Sequence, residues 1–241
     1  VRVRLMDNLK GKVSSVRDIE EIETIPLEQR YPEKSTYDII KNAADLHGDQ
    51  VALRFLTDCT AEETPFDISY RDLLFKVNQT ANMFNDFGLG PGEAVSYLLP
   101  NVPEVQYTIW GGQAAGIVSA VNYLLRPEQI VEILRATNCR MLVALAPTEG
   151  SDIWEKTEEV LRQMPELDYI FQVGGTGERD GKIIPFVETM ETYPGDRLTS
   201  GRVIGEDEIC AYFHTGGTTG SPKVAQHIHR GEVYEAWATQ Y

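Results

Sequence analysis

"GEAVSYLLPNVPEVQYTIWGGQAAGIVSAV", residues 92–121, holds the pattern that decides the fold. "AVSYLL" (94–99) is a continuous apolar run of strand length. Pro103 opens "PEVQYTIWGGQAAG", because a fixed φ and a missing N–H suit the first helical turn. Gly116 closes that helix, and "IVSAV" is strand again. The rhythm repeats downstream: "RPEQIVEILRATN" (126–138) is helix, "RMLVALA" (140–146) strand, "SDIWEKTEEVLRQM" (151–164) helix and "YIFQV" (169–173) strand. Strands that are apolar throughout, rather than alternating, belong to a parallel sheet covered on both faces. The sequence therefore predicts an α/β fold, a parallel sheet over about Glu93–Val173 with helices on both faces in Rossmann-like layers.

Upstream, a helix is predicted over about Tyr37–Leu46. "VALRFL" (51–56) and "PFDIS" (65–69) read as a hairpin joined through the polar "TDCTAEET". Ser69 and Asp72 form an S-x-x-D capping signal. Behind it Tyr70, Leu73, Leu74, Val77, Ala81 and Phe84 recur at helical spacing, until Gly88 and Gly90 stop the helix. The expected organisation is a charged surface arm over 1–36, an α/β subdomain with hairpin and parallel sheet over 37–202, and the start of a second subdomain over 203–241. "VGGTGERDG" (173–181) lacks G-x-G-x-x-G spacing and has no following helix, so a hairpin loop is expected there.

The 241 residues carry a formal net charge of −15. That argues against a nucleic-acid or anionic-membrane binder, which needs a basic face to release counterions. It leaves room for an anionic small molecule held by local N–H groups and one cation. Cys59, Cys139 and Cys210 form no C-x-x-C pair, so reduced thiols in a cytoplasmic protein are expected. The first residues lack a signal peptide's apolar core. The longest mostly apolar run, Ala114–Leu125, is too short and too polar to span a membrane.

The chemistry concentrates in "YFHTGGTTGSPKVAQHIH", residues 212–229. Gly216, Gly217 and Gly220 let the backbone fold tightly and approach a ligand. Successive N–H groups in such a turn form an anion nest. Thr215, Thr218, Thr219 and Ser221 add hydroxyls for phosphate oxygens or Mg²⁺, and Lys223 supplies a point charge. Pro222 stiffens the exit. The whole reads as a polyphosphate loop between two strands. A Walker A loop needs G-x-x-x-x-G-K-[ST] opening a helix, whereas here Pro222 precedes the lysine, Val224 follows it, and "VAQHIH" has strand character. His214, His227 and His229 lie close in sequence, but alternate strand residues explain them better than a metal site without a third ligand of zinc type. His214 enters the loop directly, and a place in the nucleotide or acyl site and a structural place are both open.

Residues Tyr212–Lys223 resemble the signature of the AMP-forming acyl-adenylating enzymes, roughly aromatic-x-x-[ST]-[SG]-G-[ST]-T-G-x-P-K. "ISYRDLLFKVNQTANMFNDFGLGPGEAVSYLLPNVPEVQYTIWGGQAAG" resembles the front of the same family's N-terminal domain, and the likeness extends from about Tyr37 to the last residue. The resemblance implies that a carboxylic acid attacks the α-phosphate of ATP, giving an acyl-adenylate and pyrophosphate, and that a thiol, usually CoA, then displaces AMP. It implies an acyl-CoA synthetase, with Thr215, Gly216, Gly217, Thr218, Thr219, Gly220, Ser221 and Lys223 on the ATP phosphates. Mg²⁺ would come with ATP, with Thr218 or Thr219 as its protein contact. Two departures stand out. Val224 replaces the family's common Gly after the lysine. The later motifs for adenine, ribose, acyl group and the catalytic lysine are absent, so catalytic residues are expected beyond Tyr241 and the 241 residues alone are expected not to complete the reaction. A non-catalytic or degenerate nucleotide-binding module, and an adenylation domain loading a carrier protein, are the alternatives.

Overall fold

The computed structural model describes residues 13–26, 29–57, 60, 62–177, 181–215 and 223–239. At its centre β3 (Ala94–Leu98) lies parallel to β4 (Ile117–Ala120) on one side and to β5 (Cys139–Leu145) on the other. β5 continues in parallel to β6 (Tyr169–Val173), and β6 to β7 (Ile183–Pro185). On the opposite side β4 pairs in parallel with β8 (Ile209–Thr215), which turns back antiparallel as β9 (Lys223–Ile228). The result is one seven-stranded sheet in the order β7-β6-β5-β3-β4-β8-β9.

The α/β layering follows from how β5 divides its side chains. Met141 and Val143 join Val95 and Phe171 in a core covered by α3 (Tyr70–Asp86), α4 (Pro103–Ala115) and α7 (Phe186–Met190). Leu142 and Ala144 join Ile130, Leu134 and Val160 in a second core covered by α5 (Pro127–Ala136) and α6 (Ile153–Gln163). Alternate residues of one strand thus feed two cores, which is why the strand reads as a continuous apolar run.

The helix signals hold at atomic level. The Ser69 hydroxyl accepts from the Asp72 N–H over 3.1 Å, and Pro103 and Pro127 occupy first turns. α2 (Thr36–His47) has a full capping box between Ser35 and Asp38. β1 (Val51–Phe55) and β2 (Phe66–Ser69) form the expected antiparallel hairpin. Within the charged arm, residues Val16–Glu23 form a short helix, α1.

One place differs from the sequence expectation. The Gly-rich turn after β6 is not a hairpin, because β7 runs parallel to β6, with Ile183 beside Ile170. The chain must therefore travel back along the strand before re-entering the sheet. Gly174 and Gly177, at φ 77° and 71°, permit the reversal, and the Gln172 side chain accepts from the Gly177 N–H over 3.2 Å. Beyond β7 the chain adds β8 and β9 to this same sheet, followed by α8 (His229–Ala238).

One further device shapes the domain. α3 carries Asn78, Gln79 and Asn82, all buried, and their amides bind the 191–199 loop. Asn82 donates to the carbonyls of Pro194 and Arg197 and accepts from the Thr199 N–H and hydroxyl. No described helix is long and apolar enough to cross a membrane.

Candidate functional site

β8 delivers the loop. It is buried at Cys210 and Ala211, where it packs on Val118 of β4, and it emerges at Phe213 and Thr215. Because β8 is parallel to β3, β4 and β5, its last residue lies at the carboxyl edge of those strands. Ligands of open α/β sheets bind at that edge.

The hairpin register is Ala211↔His227, Tyr212↔Gln226, Phe213↔Ala225, His214↔Val224 and Thr215↔Lys223. Thr215 and Lys223 are both exposed and close the ladder, with the Thr215 hydroxyl donating to the Lys223 carbonyl over 3.4 Å. The structure thus brings together the two ends of the sequence-identified loop. Gly216, Gly217, Thr218, Thr219, Gly220 and Ser221 lie outside the described residues.

The three histidines separate. His214 Nε2 accepts from the Asn122 N–H over 3.2 Å, so the loop entrance is tied to the residue that follows Val121 at the end of β4. His227 pairs with Glu232 at 2.6 Å and packs its ring 4.7 Å from that of Phe213. His229 is buried at the start of α8. Among the described residues no group of three His, Cys, Asp or Glu side chains could hold a metal.

Beside the loop entrance is an open cleft of about 320 Å³. Tyr97 and Leu99 reach it from β3, Asn122 and Tyr123 from the β4 exit, and Phe213 and His214 from β8. Phe213 and His214 belong to the sequence-identified loop segment, whereas only the rule that parallel sheets bind at their carboxyl ends could have pointed to Tyr97, Asn122 and Tyr123. Burial pushes the Tyr97 phenol above its ordinary range, so it stays a neutral hydrogen-bonding group at physiological pH. Cys139 and Cys210 are buried free thiols, which burial pushes up to about 11 and about 12, so neither is a nucleophile at neutral pH.

The base of the hairpin is tied down by hydrogen bonds and an ion pair. Arg202, with its side chain only 13% exposed, donates to the Ala115 carbonyl at the end of α4 over 2.6 Å and pairs with Glu208. The Glu208 carboxylate also accepts from the Gly205 N–H, fixing the chain one residue before β8 begins.

Comparison with known proteins gives a consistent result. The sequence model of a family described as AMP-binding enzyme matches residues 40–241. Marinolic acid–CoA ligase of Pseudoalteromonas sp. (strain SANK 73390) is 31% identical over 93% of this chain and 34% of its own length. The long-chain-fatty-acid–CoA ligase of Bacillus subtilis is 24% identical over 88% of this chain and 40% of its own. Among solved structures, a long-chain-fatty-acid-CoA ligase from Archaeoglobus fulgidus superposes with a TM-score of 0.71 at 22% identity, over 87% of this chain and 39% of that one. The chain spans about a third of the length of the curated relatives it matches.

Proposed function

The chain belongs to the AMP-binding enzyme family, and from that premise we propose that it forms the phosphate-binding part of an AMP-forming acid–thiol ligase, an acyl-CoA synthetase. The observation that carries this is the Thr215–Lys223 pair at the carboxyl edge of the sheet. It sets a threonine and a lysine opposite each other at the two ends of a loop whose sequence is rich in Gly and Thr. Acyl-CoA ligases among the relatives support the reaction class.

In this reading ATP lies with its β and γ phosphates in the loop. Thr215, Gly216, Gly217, Thr218, Thr219, Gly220 and Ser221 supply N–H and hydroxyl donors, and Lys223 neutralises charge that builds on departing pyrophosphate. An exposed threonine and lysine at the loop mouth fit an anion, and Mg²⁺ riding on the phosphates would add further charge neutralisation. Positioning supplies the rest, since attack of a carboxylate on the α-phosphate needs an in-line approach more than a chemical group from the protein. The open cleft at Tyr97, Tyr123 and Phe213 adjoins the loop entrance, where the activated acid and the incoming thiol must meet.

Arm, α/β subdomain and loop-bearing segment, divided at 36/37 and 202/203, stay part of this proposal, as does a cytoplasmic setting. Residues contacting adenine, ribose and the acyl group are placed in the remainder of the whole protein, so residues 1–241 alone bind phosphate without turning over. The test is carboxylate-dependent ATP–pyrophosphate exchange by the whole protein across short, long and aromatic acids, with residues 1–241 alongside. Exchange with one acid class, and none by residues 1–241, is expected. Absence of exchange with every acid while MgATP still binds would leave a nucleotide-binding module without this chemistry. Exchange without acyl-CoA formation on adding CoA would favour a carrier-protein acceptor.

A further inference from the structure

The chain preceding α2 is bound to the far end of the phosphate-loop hairpin by three separate contacts. The first is a buried node. His229, the first residue of α8, is 1% exposed, and Thr36, the first residue of α2, is 6% exposed. His229 Nδ1 lies 3.4 Å from the Thr36 N–H and 3.2 Å from its hydroxyl, and that hydroxyl donates to Gln113 Oε1 of α4 over 2.7 Å. With Nδ1 unprotonated the ring accepts from the Thr36 N–H, while the single proton of the Thr36 hydroxyl goes to Gln113 Oε1, so the hydroxyl and Nδ1 are in close contact. The second contact is Tyr31, whose ring centroid lies 5.8 Å from Trp237 and 6.3 Å from Tyr234, both on α8. The third is the Lys34–Glu206 ion pair at 2.6 Å, on the segment that enters β8. This pair is exposed and orients more than it stabilises.

The same base is latched by backbone. The His229 N–H donates to the Glu208 carbonyl over 3.1 Å, and the Arg230 N–H to the Glu206 carbonyl over 2.8 Å. Entrance and exit of the hairpin are thus one unit, and residues 31–36 grip that unit from outside. β9 runs from this grip straight to Lys223, with its other edge making no pairing among the described strands. A strand paired on one side only takes its direction from its partner and from whatever holds its end. Tyr31 through Thr36 precede residue 40, where the family match begins.

We infer that residues 31–36 act as a clamp that positions the phosphate-loop hairpin, with Thr36 and His229 as its positioning residues. Its consequence for nucleotide binding rests on the function proposed above; its mechanical part does not. Releasing the node lets β9 swing, which displaces Lys223 from the phosphates without removing any phosphate ligand. Misplacement of this kind acts on ATP and spares the carboxylic acid.

The experiment uses the whole protein with Thr36→Val, His229→Ala and His229→Gln. Amide hydrogen exchange reads the clamp whatever the activity. In Thr36→Val and His229→Ala the β8–β9 amides are expected to exchange at least about ten-fold faster, while β5 and β6 stay protected. Unchanged β8–β9 exchange in both variants overturns the clamp. In the pyrophosphate-exchange assay, the KM for MgATP is expected to rise about ten-fold in His229→Ala with the KM for the acid unchanged, and His229→Gln, which keeps an acceptor for the Thr36 N–H, recovers most of it. Loss of melting temperature with both KM values unchanged would reduce the node to a structural contact and overturn its positioning role. Absence of exchange in the unaltered protein would sink the functional reading alone, because hydrogen exchange still decides the clamp.

Discussion

Thr215 and Lys223 face each other as the last pair of the β8–β9 ladder, the Thr215 hydroxyl donating to the Lys223 carbonyl over 3.4 Å. The pairing fixes the two residues from which the loop springs. It sends the lysine side chain out from a strand rather than from a helix. A cation carried this way sits at the carboxyl edge of the sheet without needing the helix N-terminus on which a Walker A loop depends.

Lys223→Ala is expected to lower kcat/KM for pyrophosphate exchange by about 100-fold or more, the scale of losing one preorganised electrostatic group. The side chain is exposed at a strand end, so melting should move by no more than about 1 °C. Lys223→Arg should restore little, because a planar guanidinium fork does not replace a compact ammonium point charge. Steady-state kinetics with a parallel melting curve decide it; wild-type exchange in Lys223→Ala would remove the loop from the chemistry.

Asn82 holds the 191–199 loop by four hydrogen bonds of 2.8 to 3.0 Å and is 2% exposed. Asn82→Leu leaves two carbonyls and the Thr199 donors without this partner, and should cost about 3 kcal/mol in urea unfolding. Limited proteolysis should then cut first within 191–199. A loss under about 1 kcal/mol would mean that water replaces the amide at little cost.

How much of this was legible in sequence depends on the distance between the residues that cooperate. β3 to β6 and their helices could be read because each strand is apolar in its own right, and α4 and α5 each open on a proline. The Ser69–Asp72 cap is local, and it is where the sequence placed it. β7 and α7, of three and five residues, have no period long enough to register. The α3 amides were invisible for another reason. Polar side chains on a helix read as solvent-facing, and the partners of Asn82 lie more than 110 positions downstream. The loop was legible as a composition of Gly, Thr and Lys, but not its anchoring. That Thr36 meets His229 across 193 positions follows from the way β8 and β9 join the sheet, which no local pattern encodes.

α3 and α4 meet closely at Gly111. A Cβ there would lie 2.6 Å from Thr80 Cβ and 3.2 Å from the Ala81 backbone nitrogen. Gly111→Ala should destabilise by about 2 kcal/mol despite the better helix propensity of alanine, because overpacking outweighs propensity. Thr80→Ala added to it leaves a Cβ at the closest point and the Ala81 backbone in place, so rescue should be partial. Additive losses in a double-mutant cycle would rule out direct contact as the cause.

His229 predicts a pH dependence whose sign is fixed by its burial. Desolvation first, and then the nearby Arg202 guanidinium, hold its imidazole down to about 4, against opposing pulls from the Glu208 and Asp38 carboxylates. In the unfolded chain the same group titrates near its ordinary 6.5. Above that pH both states are neutral and the difference vanishes. Between about 6.5 and 4 the unfolded chain binds a proton that the folded one refuses, so stability falls as the solution is acidified, by about 3 kcal/mol over the whole window. Carboxylates titrate in the same range, so the comparison is with His229→Gln, in which they are retained and largely cancel. Urea unfolding at pH 7.5 and at pH 4.5 should show the unaltered protein losing roughly 2 kcal/mol more than the variant. Parallel pH profiles would mean that the folded protein accepts the proton. The Thr36 N–H would then face an imidazolium, and the node would have to open to accommodate it.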